Sequence, residues 1–182
     1  MKEKLSNTEF RAMRAFMKLI DTVHPHVPAQ AETFGIEPGM TVVDYGCGPG
    51  RYTVEFARLT GPEGKVYAVD LLEAALRETQ KRLQEHNLKN VELKLVKGYD
   101  SELARETADL ICAIDMFHHV ADTNSFLKEL ARIAKPDGFL LLSGGHQMRS
   151  SIKKAIAASG LWDIAEETKG FLKYKKRLQQ EG

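Results

Sequence analysis

The sequence predicts an α/β fold with a seven-stranded sheet, in which five parallel strands are followed by a C-terminal antiparallel hairpin and helices cover both faces. Short apolar runs alternate with amphipathic stretches of helical length along most of the chain. A glycine-rich turn joins the first of these runs to a helix. The last two predicted strands are separated by so short a connection that they must run antiparallel.

Length and composition favour one domain. The chain has 182 residues, of which 43% are hydrophobic, so we expect a single well-formed core. The formal net charge is +1 at pH 7, which provides no overall attraction to nucleic acid or to an anionic membrane. The apolar runs are far shorter than the about 20 residues that a membrane span needs. Since the N-terminus also lacks the apolar core of a signal peptide, we expect a cytoplasmic protein.

The two cysteines, Cys47 and Cys112, do not form a C-x-x-C pair. A zinc site needs several closely spaced ligands, and a disulfide framework needs more cysteines at regular spacing. We therefore expect no metal and interpret both residues as small buried side chains.

Residues 8–23 predict an amphipathic helix, because apolar side chains recur at three- and four-residue steps. We expect this helix to pack on the flank of the domain, and a membrane or partner surface is the alternative. A short helix over 29–36 follows. The chain is thus divided into an N-terminal helical segment, 1–35, that covers the site and a main domain, 36–182. The apolar face of the first helix comprises Phe10, Met13, Met17 and Ile20.

The rest of the chain is organised around a glycine-rich turn. Residues 40–43 form a short apolar strand, Asp44 closes it, and a helix is predicted over 51–59. Between them lie three glycines at alternate positions, and glycine tolerates positive φ and lets a ligand approach the bare backbone. A strand, a glycine turn and a helix N-terminus predict a nucleotide-binding site in an open α/β sheet. The three glycines are Gly46, Gly48 and Gly50.

The spacing of this turn disfavours a dinucleotide. The pattern G-x-G-x-x-G would place its third glycine where the chain has Arg51. The turn instead offers backbone amides and one acid, Asp44, two residues before the first glycine. That combination suits a ligand that carries an ammonium and a carboxylate group. A tight turn without any ligand is the alternative.

Residues 42–50, Val-Val-Asp-Tyr-Gly-Cys-Gly-Pro-Gly, resemble motif I of the class I methyltransferases that depend on S-adenosylmethionine (SAM). The resemblance implies a Rossmann-like sheet and SAM as the cofactor, with S-adenosylhomocysteine (SAH) as its product. It also implies that Asp44 lies near the ammonium group of SAM. The predicted cofactor-binding residues of this motif are Asp44, Tyr45, Gly46, Cys47 and Gly48.

The second predicted strand, 65–69, ends in Asp70, which lies about 20 residues beyond the glycine turn. An acid at this place can accept both ribose hydroxyls of a nucleoside. Its alternative role is to cap the helix predicted over 73–86. In the methyltransferase family the matching acid binds the ribose, and the next residue, Leu71 here, packs against adenine.

The third predicted strand, 91–96, is followed by Gly98, Tyr99 and Asp100. Many members of the family have Gly-Asp-Ala here, and their acid contacts the adenine amino group. In this chain a tyrosine occupies the second position and the acid comes one residue later. The resemblance therefore leaves open whether Asp100 contacts adenine or Tyr99 stacks on it.

The fourth predicted strand, 109–115, ends in Asp115, a further candidate for cofactor binding, and His118 and His119 follow it. The segment resembles motif IV of the family, in which many small-molecule enzymes carry histidines. Histidine titrates in the range that proton transfer needs, so both are candidate general bases. A structural histidine that binds the backbone is the alternative, and His146 is a third candidate.

The remaining elements complete the pattern. They are helix 122–134, a turn at 135–138, strand 139–143, helix 149–159 and the hairpin strands 161–168 and 171–177.

The sequence therefore predicts a SAM-dependent methyltransferase that transfers a methyl group to a small molecule by in-line displacement, similar to the quinone-biosynthesis enzymes. An RNA or protein methyltransferase is the first alternative, because a basic run ends the chain. A protein that binds SAM or SAH without transfer is the second, and a nicotinamide dehydrogenase, disfavoured by Arg51, is the third. The oligomeric state is left open. The basic residues are Lys153, Lys154, Lys173, Lys175, Lys176 and Arg177.

Overall fold

A computed structural model describes residues 26–143 and 149–178 of the chain. The predicted helix over 8–23 and His146 lie outside the described residues. In chain order, the described elements are α1 (His26–Glu32), β1 (Thr41–Tyr45), α2 (Arg51–Thr60), β2 (Lys65–Asp70), α3 (Glu73–Glu85), β3 (Val91–Leu95), β4 (Ala108–Ala113), a short 3-10 helix (Phe117–His119), α4 (Thr123–Ile133), β5 (Ala134–Leu142), α5 (Arg149–Ser159), β6 (Trp162–Glu167) and β7 (Leu172–Lys176).

The seven strands form one sheet in the order β3-β2-β1-β4-β5-β7-β6. Strands β1 to β5 pair in parallel, and β7 pairs antiparallel with both β5 and β6. The predicted α/β fold with its terminal hairpin is therefore confirmed. Strands β2 and β3 are added on one side of β1, and β4 and β5 are added on its other side. The carboxyl ends of β1 and β4 thus border the crevice where ligands bind in sheets of this type.

Helices cover both faces of the sheet. On β1, Val42 belongs to the hydrophobic cluster that includes Phe56 of α2, whereas Val43 belongs to the cluster that includes Leu127 of α4. Successive residues of a strand point to opposite faces, so α2 and α4 lie on opposite sides. All four apolar side chains are fully buried.

Three predicted boundaries were wrong. The helix expected over 29–36 is α1, which begins at His26 and includes Pro28 in its first turn, where the missing N–H of proline is tolerated. Strand β1 continues through Asp44 to Tyr45. The residues of the expected turn at 135–138 are part of β5. The pairing of β4 with β5 shifts in register between Ala108 and Leu110, and the extra residues of β5 form a bulge there.

No helix lies between β3 and β4 in the described chain. The sheet face beside this connection carries charged side chains, with Glu92 Oε2 3.0 Å from Lys65 Nζ and Glu92 Oε1 2.8 Å from Lys94 Nζ. These side chains remain about 30 to 40% exposed, so the face does not need a helix to cover it.

Candidate active site

The glycine turn after β1 is built so that only glycine fits at two of its positions. Gly46 has a φ of +80°, and a Cβ atom there would lie 2.9 Å from Cγ of Met116. Gly50 has a φ of +77°, and a Cβ atom there would lie 2.7 Å from Oγ1 of Thr79. The N–H group of Gly46 donates to the carbonyl of Val69 over 2.8 Å, which fastens the turn to β2.

Gly48, between them, faces open space. A Cβ atom on Gly48 would have no neighbour within 4 Å, so its backbone is accessible to a ligand. The Gly48 N–H group donates to Oδ2 of Asp70 over 2.9 Å. Cys47, by contrast, is buried, and burial raises the pKa of its thiol well above the ordinary value. The turn therefore offers backbone rather than a thiolate.

Asp44 places a carboxyl group in the interior directly before the turn. It is only 3% exposed, and its Oδ2 accepts a hydrogen bond of 2.5 Å from the Thr53 hydroxyl. Burial raises the pKa of Asp44 to about 7, and the nearby charge of Asp70 adds to the rise while the Thr53 hydrogen bond opposes it. A cation beside this carboxyl would favour its ionised form. The position thus fits the ammonium group of an amino-acid ligand.

Asp70 connects the end of β2 to the glycine turn. Its Oδ1 accepts from the N–H of Leu72 over 2.8 Å, and its Oδ2 accepts from Gly48. It does not cap the following helix, because Leu72 is the N-cap of α3 and no side chain bonds there. Burial raises the pKa of Asp70. Each carboxylate oxygen keeps a lone pair that could accept a ribose hydroxyl. Leu71 is half-buried against the core.

The loop after β3 turns sharply at Gly98, which has a φ of +80°. Asp100 is exposed, and its Oδ1 accepts from the N–H of Glu102 over 2.9 Å. The Tyr99 ring is half-buried and lies 5.7 Å from the Phe126 ring. Tyr45 points into the same core, where its hydroxyl donates to the Tyr99 carbonyl over 2.6 Å. The Tyr45 side chain therefore holds the loop after β3, and the Tyr45 backbone leads into the glycine turn.

Asp115 follows β4 in a strained conformation. Its φ is +53°, which is rare for a residue with a side chain. Ser143, at the end of β5, holds it: the Asp115 N–H donates to Ser143 Oγ over 2.9 Å, and that hydroxyl donates to Asp115 Oδ1 over 3.0 Å. The Asp115 side chain is exposed while Ser143 is buried. Backbone strain of this kind is concentrated at functional sites.

His118 and His119 lie in the 3-10 helix after β4. Their ring centroids are 3.9 Å apart, and the buried Phe117 fixes the helix to the core. His118 is half-buried and His119 is exposed. This segment follows Asp115 directly and includes the Met116 side chain that packs on Gly46. The segment with both histidines therefore follows the carboxyl end of β4, which borders the crevice.

A family model for the methyltransferase domain matches residues 36–178. The chain belongs to this family. The resemblance that motif I indicated is confirmed, and so is the Rossmann-like fold.

Several known methyltransferases are similar to this domain. A structure of a SAM-dependent methyltransferase from Aquifex aeolicus is similar, with a TM-score of 0.77, 24% identity and coverage of 95% of this chain and 98% of that one. The demethylmenaquinone methyltransferase of Geobacillus stearothermophilus is 31% identical over 57% of this chain and 44% of its own length. The nocamycin O-methyltransferase of Saccharothrix syringae is 28% identical over 70% and 41%. The chain thus spans less than half the length of these two curated relatives.

Two residues of the methyltransferase domain were missed by sequence reasoning, Thr53 and Ser143. Each is the hydrogen-bond partner of an acid that the sequence did single out, Asp44 and Asp115. Thr53 is a buried polar residue in the first turn of α2, and its place in a helix that directly follows the glycine turn was the available signal. Ser143 ends an apolar strand beside the end of β4, and only the strand order makes it a neighbour of Asp115.

Residues 26–143 and 149–178 contain no cluster of three or more histidine, cysteine or acidic side chains that could hold a metal. None of the helices in these ranges is long and apolar enough to cross a membrane.

Proposed function

We propose that the protein transfers a methyl group from SAM to a small-molecule acceptor. The observation that carries the proposal is the buried Asp44 carboxyl beside the open backbone of Gly48. A carboxyl in this position gains from a cationic partner, and bare backbone at a positive φ allows close approach. The amino-acid part of SAM has the ammonium and carboxylate groups that this pair would bind.

Each predicted site residue has a role in this proposal. Asp44 binds the ammonium group, and the backbone of residues 45–48 borders the methionine part. Asp70 accepts the ribose hydroxyls, and Leu71 packs against adenine. The loop with Gly98, Tyr99 and Asp100 borders the base, and Asp115 closes the crevice at the end of β4.

Methyl transfer needs mainly alignment. When bound, SAM supplies an electrophilic methyl group on a sulfonium, and the chain must hold an acceptor in line with it. His118 and His119 are placed to border the acceptor, and either can take a proton from an acceptor that must lose one. An acceptor that is already nucleophilic needs no base.

A small acceptor is favoured over RNA by the local charges. Much of the basic C-terminal run is engaged within the protein: Lys173 Nζ donates to the Phe34 carbonyl over 3.0 Å, and Lys176 Nζ donates to the Ala134 carbonyl over 2.7 Å. Arg177 pairs with Asp163. Few phosphate contacts remain, and phosphate contacts supply most non-specific affinity for nucleic acid. The names of the two curated relatives also refer to small molecules.

We further propose that the N-terminal segment, 1–35, forms a cover on the acceptor side. Its described part packs beside the crevice: the Phe34 ring stacks 6.0 Å from the Tyr52 ring, and the Tyr52 hydroxyl donates to Gln30 Oε1 over 2.5 Å. Tyr52 lies in the first turn of α2, next to the glycine turn.

Calorimetric titration with SAH tests the cofactor site. We expect the wild type to bind, and Asp70→Ala to lose at least about tenfold in affinity, because two hydrogen-bond acceptors for the ribose are removed. Asp137→Ala is the matched control, at an exposed acid in β5 that has no role in the proposed site, and thermal unfolding of each variant shows that it is folded. A wild type that binds NADH and not SAH would contradict the proposal.

An acceptor screen with radiolabelled SAM then separates the acceptor classes. Hydroquinones, phenols and other small nucleophiles form one arm, and total RNA and a protein extract form the others. We expect label only in the small-molecule arm. Label in RNA that declines steeply with salt would support the alternative, and SAH binding with no label in any arm would support a protein that binds without transfer.

A further inference from the structure

Two tyrosines connect segments that are far apart in sequence. Tyr45 ends β1, and Tyr99 lies in the loop after β3. The Tyr45 hydroxyl donates to the Tyr99 carbonyl over 2.6 Å, and the Tyr45 ring meets the Phe126 ring edge-on at 5.3 Å. The loop that follows β3 is thus fastened to the strand that carries the glycine turn.

Tyr99 extends this connection to a third segment. Its hydroxyl oxygen accepts from the backbone N–H groups of Ala121 and Asp122, each over 3.0 Å. Those two residues directly precede α4, whose first turn is capped by the Asp122 carboxylate through a 3.0 Å bond from the Ser125 N–H. A phenol oxygen has two lone pairs, and both are used here. The Tyr99 hydroxyl therefore holds the two residues that lie between the histidine segment and α4.

The rings pack around one centre. Tyr45, Tyr99 and Phe117 all contact the fully buried Phe126, with ring centroids 5.3, 5.7 and 6.2 Å from it. Phe117 belongs to the same 3-10 helix as the two histidines. The loop after β3 and the histidine segment therefore share a rigid core contact as well as a hydrogen bond.

We propose that Tyr99 is a positioning residue: its hydroxyl ties the adenine loop to the segment that carries His118 and His119, so that binding of the nucleoside part of the cofactor is coupled to the acceptor side. The inference rests on the proposed function for the identity of the ligand. It also accounts for a tyrosine where the family often has an acid, because an aspartate at position 99 is too short to reach the amide groups of Ala121 and Asp122.

A stacking role and a tying role for Tyr99 use different parts of the side chain. Stacking on adenine uses the ring, which Tyr99→Phe keeps and Tyr99→Leu removes. The tie uses the hydroxyl, which both variants remove. Tyr45→Phe removes the hydrogen bond from the Tyr45 hydroxyl to the Tyr99 carbonyl. Tyr67→Phe is the matched control, since Tyr67 is a half-buried tyrosine whose ring packs against the same core cluster.

SAH affinity by calorimetry is the first measurement. We expect Tyr99→Phe to bind SAH about fivefold more weakly than the wild type, because the adenine loop loses the hydroxyl that ties it to residues 121 and 122. Tyr99→Leu should be no more than about twofold weaker than Tyr99→Phe, Tyr45→Phe should lose a similar factor, and Tyr67→Phe should bind as the wild type does. If Tyr99→Phe keeps full affinity and Tyr99→Leu loses it, Tyr99 stacks on the base and the proposal is wrong.

The imidazole NMR signals of His118 and His119 provide a readout that a change in stability alone would not alter. We expect SAH to shift the signals of His118 and His119 in the wild type, and the shift to shrink to less than half in Tyr99→Phe saturated with SAH. Single substitutions of each histidine by Gln assign the signals. A full shift in saturated Tyr99→Phe would overturn the coupling.

The tie can also be tested without any ligand. Amide hydrogen exchange at Ala121 and Asp122 should be at least about tenfold faster in Tyr99→Phe than in Tyr67→Phe, since the acceptor of both amides is lost. Unchanged exchange would contradict the tie itself. Faster exchange in a protein whose wild type does not bind SAH would retain the tie and refute the proposed function instead. Thermal unfolding confirms that each variant is folded.

Discussion

At the scale of single residues, two acids of the candidate site are each hydrogen-bonded to an uncharged hydroxyl group. Asp44 is held by the Thr53 hydroxyl, and Asp115 by the Ser143 hydroxyl. A hydroxyl can fix the orientation of a carboxylate without neutralising it. Neither partner brings a positive charge, so each carboxyl can still pair with a cationic ligand.

The raised pKa of Asp44 predicts that SAH binding depends on pH. Because the ammonium group of SAH favours the ionised carboxyl, affinity should fall as the pH is lowered through about 7, by up to roughly tenfold per pH unit. Asp44→Asn should bind weakly and lose most of this dependence. Calorimetry between about pH 5 and pH 8 measures it, and a wild-type affinity that is constant over this range would contradict the assignment.

The same residue affects the stability of the ligand-free protein with a defined sign. The folded state holds a proton on Asp44 up to about pH 7, whereas the unfolded chain releases it near the ordinary value of 3.8. The contribution of this group to stability is therefore fully present below about pH 3.8 and is lost progressively as the pH rises from there to about 7. Asp44→Asn should raise the free energy of unfolding by roughly 1–3 kcal/mol at about pH 8 and by little below about pH 4.

The sequence predicted the acids and glycines of the site but not what holds them. Gly46, Gly48 and Asp70 follow from spacing along the chain, because they lie within one strand-turn-helix unit and the next strand end. The contacts of Ser143 with Asp115 and of Tyr45 with Tyr99 span 28 and 54 residues. Such contacts depend on the order of strands in the sheet, which spacing alone does not reveal.

At the scale of elements, the connection between β3 and β4 replaces a helix with a small set of polar contacts. The Ser101 N–H and hydroxyl both donate to Glu129 Oε1, over 2.9 and 2.5 Å. Arg132 donates to both oxygens of the same carboxylate, over 2.7 and 2.8 Å. One carboxylate of α4 thus holds the part of this connection around Ser101.

Loss of this carboxylate should be costly. We expect Glu129→Ala to lower the free energy of unfolding by roughly 2–3 kcal/mol, because the buried Ser101 hydroxyl and the Arg132 guanidinium lose their acceptor. Lys128→Ala, at the neighbouring exposed position of the same helix, should change it by less than about 0.5 kcal/mol. Urea unfolding measures both, and equal effects would show that the connection is held in another way.

Elements with regular apolar periodicity were predicted well. Helix α5 has the predicted bounds, Arg149–Ser159. The errors occur where tertiary pairing or local backbone chemistry overrides the local pattern. Helix α1 begins before the predicted start, with Pro28 in its first turn, and the predicted turn at 135–138 belongs to β5 because it pairs with β4.

At the scale of the whole molecule, the sheet is continuous because β7 lies between β5 and β6. Tyr174, on β7, is fully buried with the apolar residues of α5, yet within the described residues its hydroxyl has no hydrogen-bond partner. A buried hydroxyl without a partner lowers stability.

Tyr174→Phe should therefore raise the free energy of unfolding by about 1 kcal/mol, since the unpaired hydroxyl is removed and the ring is kept. Tyr174→Leu, which also shortens the side chain, should lower it by roughly 1–3 kcal/mol. Urea unfolding distinguishes these effects. A loss of stability in Tyr174→Phe would mean that a bound water or another group satisfies the hydroxyl.

The position of β7 also constrains the order in which the protein can be completed during synthesis. Both of the strands that it joins leave the ribosome earlier, and β6 pairs with the sheet only through β7. A nascent chain that stops before Leu172 can assemble β1 to β5, but its β6 has no neighbour to pair with. When β7 emerges it pairs with β5 and with β6, so that two of the seven strands join the sheet in one late step.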